Sequence, residues 1–454
     1  MEDYRERGNF GTKLGVILAT AGGAVGLGNV WRFPYVTGQN GGAAFIIIYI
    51  ICIMAMGVPV MLCEFIIGRH AQSNTARAFT KLSNGTPWRL VGYMGVLTAA
   101  LIIGYYGVVS GWTLQYVFAS VMGHMHGTPD DFRQYFSDFS THPIKPIVWM
   151  MLLVGITHLV IVRGIQDGIE RASKVMMPVL FVLLLILVVC SLMLPDAWKG
   201  VEFLFRPDFS KVTGKTFLEA LGQAFYSLSI AMGCLCTYAS YFKRETNLVN
   251  SAFQIASIDT LVAILSGLIV FPAALSVGVQ PDSGPSLIFI TLPNVFQHAF
   301  GSLPLVEYVV SIAFYLLLAI ASLTSIISLH EVSTSFLSEE LRLGRREAAA
   351  FVSIMCVVVG AVCSLSLGNW DWAQLFGMPL FAFLDWFTAN LCLPLGGFFT
   401  CLFVGWYVDR KIVHDEITDW GTQNYTILKV FLVVVKYICP LFILFIFLHQ
   451  IGWV

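Results

Sequence analysis

Four glycines fall within seven residues at Gly22, Gly23, Gly26 and Gly28, followed at once by Asn29 and Arg32, inside an otherwise apolar stretch. A membrane helix gives up its internal hydrogen bonds only where the freed groups meet protein, water or a ligand. Glycine lets the chain unwind there and lets a ligand touch the backbone. Freed carbonyls are oxygen donors suited to a hard cation, and freed amides at a half-helix end suit an anion. An arginine at such a depth is costly unless it has a task. Residues 20–34, Thr-Ala-Gly-Gly-Ala-Val-Gly-Leu-Gly-Asn-Val-Trp-Arg-Phe-Pro, therefore read as a binding site in the middle of a membrane span.

A second interruption, Gly222-Gln223-Ala224-Phe225-Tyr226-Ser227-Leu228-Ser229-Ile230-Ala231-Met232-Gly233, mixes small and polar residues in the same way. Asp259 stands between apolar neighbours, where an unpaired carboxylate is expensive. Thr324 and Ser325 offer two hydroxyls; bonding to the preceding helical turn is their ordinary use in spanning helices. Glu64 is read as satisfying loose amides of the second interruption. Glu331 has no evident partner, and for Lys436 the default is a side chain that snorkels toward the interface.

The elements that must position these residues are membrane helices. The chain of 454 residues is 57% hydrophobic and 12% charged, against roughly 25% charged in soluble domains. This composition predicts an all-α polytopic membrane protein, one domain over 1–454 with no large soluble part. The net charge of −1 does not point to nucleic acid. All ten cysteines lie in hydrophobic stretches and read as small packing residues, without disulfide or zinc spacing. The short charged N-terminus carries no cleavable signal. No nucleophile–base pair, metal cluster or phosphate loop marks an enzyme, and no continuous polar pore marks a channel.

Eleven spans are expected, near 11–37, 41–69, 89–123, 146–163, 167–194, 215–242, 247–279, 304–340, 346–367, 374–408 and 426–450. Most exceed the ~20 residues that a crossing needs. Residues 280–303, rich in proline, read as a hairpin loop capping one face. With the N-terminus inside, the inner side holds 18 Lys/Arg and the outer side six, which orients the chain N-inside and places the C-terminus outside. Interruptions in spans one and six, five spans apart, are the pattern of two inverted repeats, 11–194 and 215–408, with helices 1 and 6 broken at mid-membrane and 426–450 as an eleventh helix.

The run Gly26-Leu27-Gly28-Asn29-Val30-Trp31-Arg32-Phe33-Pro34, then Asn40-Gly41-Gly42, resembles the first-helix signature of the neurotransmitter:sodium symporters. Tyr105-Tyr106 with Trp112, Thr237-Tyr238-Ala239-Ser240-Tyr241 and Leu323-Thr324-Ser325 extend the likeness over nearly the whole chain. Inverted repeats are best known from this same family. Short outer loops and the missing twelfth span resemble bacterial members, which implies a bacterial inner (plasma) membrane.

The resemblance implies two sodium ions. The first would use Ala24, Asn29, Ser227 and Asp259 together with the substrate carboxylate. The second would use the Gly22, Val25 and Ala321 carbonyls with Thr324 and Ser325. Animal members have a neutral residue at the Asp259 position and recruit chloride; Asp259, with Ala263 one turn later lacking a hydroxyl, implies that no chloride is required. Amine transporters carry an aspartate where this chain has Gly26, so the anion must come from an α-amino acid substrate. Its carboxylate would meet the Gly26–Gly28 amides and Tyr106; its amino group, carbonyls near Ala24, Phe225 and Ser229. Ile102, Tyr106, Tyr226, Met232, Ser325 and Leu329 would enclose a neutral, apolar side chain. Met232 stands where some relatives have phenylalanine, which favours bulky or aromatic substrates; Tyr226 departs from a frequent phenylalanine and adds a hydroxyl to the lid. Arg32–Asp385 above and Arg7–Glu339 below are the implied gates, and Gly168 and Pro178 the implied point where span five unwinds. The partners implied are the amino acid and the lipid bilayer, in a sodium-coupled importer or in a sensor that binds without transport.

Overall fold

The computed structural model describes residues 8–276, 287–301, 303–368, 370, 372–422, 425–450 and 453. The first membrane element is a bent pair, α1 (Lys13–Ala24) and α2 (Gly28–Gln39), meeting at 57°. Nine longer apolar helices follow among the described residues. Shorter helices lie between them, among them Gly214–Ser227 and Cys234–Ala239. In chain order the further labels are α3 (Ala43–Ala71), α4 (Arg89–Val121), α5 (Lys145–Val162) and α6 (Ile165–Leu192). The short pair is α7 (Gly214–Ser227) and α8 (Cys234–Ala239). Then come α9 (Leu248–Ser276), α10 (Pro304–Glu340), α11 (Arg345–Ser366) and α12 (Leu380–Tyr407). A short helix, α13 (Arg410–Ile417), precedes α14 (Tyr425–Gln450). Such lengths and apolarity make the chain a multi-pass membrane protein.

The helices pack in two groups. The first comprises α4, α5, α10 and α11, which lie against one another. In the second, α3 contacts α7, α8 and α9, and α1 lies against α9 while also touching α10 and α6. Between helices in lipid, close approach replaces the hydrophobic drive, so small residues mark the contacts. A Cβ on Gly111 would fall 2.6 Å from the Met150 nitrogen, and one on Gly104 2.5 Å from Val359. Only a third of the most apolar window is buried in α5, α6 and α14, whose outer faces carry Leu152, Val182, Leu185 and Phe442 toward lipid.

Three expected boundaries shift. The tenth span starts at Leu380 rather than 374, because Phe376 and Gly377 (φ +53° and +78°) form a turn closing a two-residue ladder that pairs Gln374 with Pro379. The sixth is α7 and α8, of 14 and six residues, each too short to cross alone. Of the loop expected at 280–303, residues 280–286 and 302 lie outside the described residues; the rest includes Leu292–Phe300, a helix with Phe296 buried.

Candidate functional site

Helix α1 stops at Ala24 because the next residues no longer continue its ladder. Val25 is extended (φ −67°, ψ 109°), its N–H donating back to Ala21 O. Opposite, α7 ends at Ser227 and the chain passes 228–233 before α8. There Ser229 and Ala231 adopt φ +53° and +67°. Non-glycine residues in this region cost about 1–2 kcal/mol each, so the neighbours must hold them. They do: the Ala231 N–H donates to Glu64 Oε1 (2.6 Å), as expected for Glu64, and the Ser229 hydroxyl donates to Gly23 O (3.0 Å). The two interruptions therefore face each other and are bonded together.

A cavity of about 50 Å³ opens between them. Its walls include Ala24, Gly26, Gly28, Ile102, Tyr106, Tyr226, Ser229, Met232, Ser325 and Leu329. A Cβ on Gly26 would stand 2.7 Å from Ser325 Oγ and 3.3 Å from the Tyr106 hydroxyl, so no side chain fits there without displacing both. The Phe225 side chain is not part of this wall. The Phe225 carbonyl accepts from the Ile230 N–H (3.4 Å), and its ring packs on Gly397 and lines a neighbouring space beside Arg32. A helical residue one position before Tyr226 points about 100° away from it. Sequence reasoning missed Cys234, Thr388 and Leu393 on the wall. The last two come from α12, and nothing local in α12 signals that it reaches this cavity.

Beside the cavity Asn29, Ser227 and Asp259 converge, all of them buried. Asn29 Nδ2 donates to Asp259 Oδ1 (2.8 Å) and lies 3.1 Å from Ser227 Oγ, while the Ser227 hydroxyl donates to Asp259 Oδ2 (2.6 Å). Asn29 Oδ1 accepts from the Gly26 N–H (3.0 Å). The amide NH₂ thus presents the positive end of its dipole to the carboxylate. Tyr49, which the sequence reading did not pick out, adds its hydroxyl at 3.5 Å from Asp259 Oδ2.

The second expected cluster is also assembled. Ser325 Oγ donates toward Val25 O (3.3 Å) on α1 and Ala321 O (3.2 Å) on its own helix. Thr324 Oγ1 lies 2.9 Å from Ala321 O, and a Cβ on Gly22 would be 3.5 Å from Thr324 Cβ. The Thr324 bonds are the local ones that any spanning threonine makes; the reach of Ser325 across to α1 is not.

The implied gates stand differently. The Arg32 guanidinium lies over the Tyr226 ring at 4.9 Å, and among the described residues no ion pair within 4 Å joins it to Asp385. Arg7 is outside the described residues. Glu339 accepts from the Asn74 N–H and Nδ2, both at 2.9 Å. Gly168 sits in the turn opening α6, where a Cβ would run into the Val160 carbonyl of α5. Pro178 lies inside Arg171–Leu192, and the helix continues through it. In this structure Gly168 is a packing glycine and the fifth span is wound.

Two further acids take on partners that the sequence did not disclose. Glu331 accepts from Arg345 Nη2 (2.7 Å) and from the Tyr241 hydroxyl (2.6 Å), tying α10 to α11 and to the chain just after α8. Glu170 accepts from the Gly11 N–H (2.6 Å) and the Thr12 hydroxyl (2.7 Å), fastening the start of α1 to α6. The Glu331–Tyr241 and Glu170–Gly11 bonds join positions 90 and 159 residues apart, beyond the reach of any local pattern.

Comparison with known proteins matches these features. A model of the "Sodium:neurotransmitter symporter family" covers residues 7–128 and 137–453. An uncharacterized sodium-dependent transporter of Bacillus subtilis (strain 168) is 34% identical over 98% of this chain and 97% of its own length. A sodium- and chloride-dependent taurine transporter of Homo sapiens is 29% identical, over 91% of this chain and 73% of its own. The crystal structure of MhsT in complex with L-phenylalanine superposes with a TM-score of 0.88 at 38% identity, covering 98% of this chain and 100% of that one. The protein belongs to the sodium:neurotransmitter symporter family.

Proposed function

We propose that the protein is a sodium-coupled symporter that imports a neutral L-amino acid with an apolar, bulky or aromatic side chain, by alternating access and without a requirement for chloride. The observation that carries this reading is the meeting of Asn29, Ser227 and the buried Asp259 at the wall of a cavity whose floor is Gly26. Sodium is cargo here. It is a hard cation, and the donors around the cavity are oxygens: a carboxylate, an amide, hydroxyls and carbonyls freed by the break. Sodium at the first position would use Ala24, Asn29, Ser227 and Asp259, with the Asn29 amide turned so that its oxygen replaces the NH₂. At the second, Gly22, Val25, Ala321, Thr324 and Ser325 would bind an ion joining α1 to α10. Asp259 supplies covalently the negative charge that chloride would otherwise bring.

The amino acid would place its carboxylate against the Gly26–Gly28 backbone and Tyr106, and its side chain among Ile102, Met232 and Leu329. Among the described residues no acid or base lines the cavity to match a charged side chain. The MhsT neighbour, which holds L-phenylalanine, supports a substrate of this size. In this reading Arg32 and Asp385 close above a bound substrate, Arg7 and Glu339 below, and unwinding at Gly168 and Pro178 opens the inner side. The chain is one transport domain of eleven crossings, two inverted halves (11–194 and 215–408) plus 426–450, in a bacterial plasma membrane with its N-terminus inside.

The test is uptake into proteoliposomes across a panel of amino acids, with a sodium gradient imposed or collapsed and chloride exchanged for gluconate. Gradient-dependent uptake of apolar amino acids, equal in chloride and gluconate, is the expected result. Binding without uptake would point to a sensor, and a need for chloride would remove the role given to Asp259.

A further inference from the structure

One cation on a membrane helix is left unmatched by the transport reading. Lys436 lies within α14, and among the described residues it joins no ion pair. Its Nζ rests over the Trp406 ring at 5.0 Å, and its stem is seated on Gly405, where a Cβ would come 3.1 Å from its Cγ. Trp406 and Tyr437 meet edge to face at 5.5 Å, and each is 58% exposed. Seven residues earlier Lys429 repeats the arrangement, its Nζ 5.1 Å from the exposed Tyr425 ring and likewise without an acidic partner among the described residues. Seven residues are two helical turns, so the lysines share one face about 10 Å apart.

Of the acids that follow α12, Glu416 pairs with Arg69 and Asp415 with His414, and Asp409 caps α13 by accepting from the Lys411 N–H. The face lies at a membrane boundary. Trp406 is one residue from the end of α12, Arg410 and Lys411 follow, and the Tyr407 hydroxyl donates to Ser83 O (3.1 Å) in the loop before α4. Exposed aromatics at such a level mark the headgroup region. Two lysines whose ammonium groups lie over aromatic rings, on a lipid-facing surface and without an acidic partner among the described residues, suit an anion from the lipid side.

We propose that Lys429 and Lys436 hold the headgroup of one anionic phospholipid along the face of α14, beside Trp406 and Tyr437. The occupant carries a net negative headgroup. A zwitterionic headgroup brings its own cation and gains less from the two ammonium groups.

The full chain, purified in neutral detergent and stripped of lipid, is titrated with phosphatidylglycerol, with phosphatidylcholine and with inorganic phosphate, following thermal stability and retained adducts by native mass spectrometry. Phosphatidylglycerol is expected to raise the melting temperature and remain as an adduct, and the other two to do neither. Each lysine replaced by glutamine weakens the half-effective lipid concentration about fivefold, so Lys429→Gln with Lys436→Gln weakens it more than tenfold, while the paired arginine replacements retain it. Lys429→Gln alone, at an exposed position, reads its fivefold loss where the double variant folds poorly. Undiminished stabilisation of the double glutamine variant, equal stabilisation by phosphatidylcholine, or stabilisation by inorganic phosphate alone would each overturn the proposal.

Discussion

Replacing Asp259 by asparagine tests the first sodium position with little change of shape. Asp259 is fully buried and accepts from Asn29 Nδ2 and the Ser227 hydroxyl. An asparagine in the same rotamer can keep its oxygen toward Asn29 and turn its NH₂ to Ser227 Oγ, so both contacts survive as neutral bonds. The loss is therefore chiefly charge. A unit negative charge about 4 Å from a cation is worth about 4 kcal/mol at the effective dielectric of roughly 20 that suits such sites. Weakening of the charge-assisted bonds adds about 1 kcal/mol. Four kcal/mol corresponds to roughly a thousandfold rise in the sodium concentration that supports half-maximal substrate binding. The assay is equilibrium binding of a radiolabelled amino acid to purified protein, titrated with sodium gluconate and then with sodium chloride. In gluconate Asp259→Asn is expected to show no saturation at accessible sodium; chloride is expected to restore part of the response. A half-saturating sodium concentration within about threefold of the unmodified protein, in gluconate, would refute the placement of Asp259 beside a bound cation.

Four further predictions address separate parts of the structure. Tyr106→Phe removes a hydroxyl from the cavity wall beside Gly26 and is expected to cost about 1.5–3 kcal/mol of binding to a carboxylate substrate, a tenfold to hundredfold loss in the same assay. Gly26→Asp forces a side chain against Ser325 and Tyr106 and sets a carboxylate against the substrate's own; binding of amino acids is expected to fall at least about a hundredfold, and unchanged affinity would move the carboxylate subsite elsewhere. Thr324→Val and Ser325→Ala each remove one oxygen and should raise the sodium needed for uptake, with inner-side accessibility, followed by spin-label distance, returning to normal at saturating sodium because a ligand shifts an equilibrium only by its differential affinity. Glu331→Ala leaves the Arg345 guanidinium, 29% exposed, without its carboxylate and is expected to destabilise the fold by about 3 kcal/mol in thermal unfolding, with Arg345→Met recovering part.

Sequence alone determined the class of the molecule and pointed to its candidate site. Long apolar runs can cross a bilayer only as helices, because backbone groups have no other partners in lipid, and so composition dictates the architecture. The same rule makes an interruption visible: glycines at 22, 23, 26 and 28 with Asn29 stand out because unwinding there needs a reason. Asp259 was legible for a like cause, as a carboxylate among apolar neighbours. Tertiary structure alone decided which groups meet. Tyr49 joins Asp259 across 210 residues, Thr388 and Leu393 enter the cavity from α12, and Glu331 finds Arg345 and Tyr241 on other elements. It also assigned Gly168 to packing under Val160 and turned the Phe225 ring away from the cavity. Burial in one helix makes a polar residue conspicuous in the sequence; its partner lies on another helix, and only packing selects it.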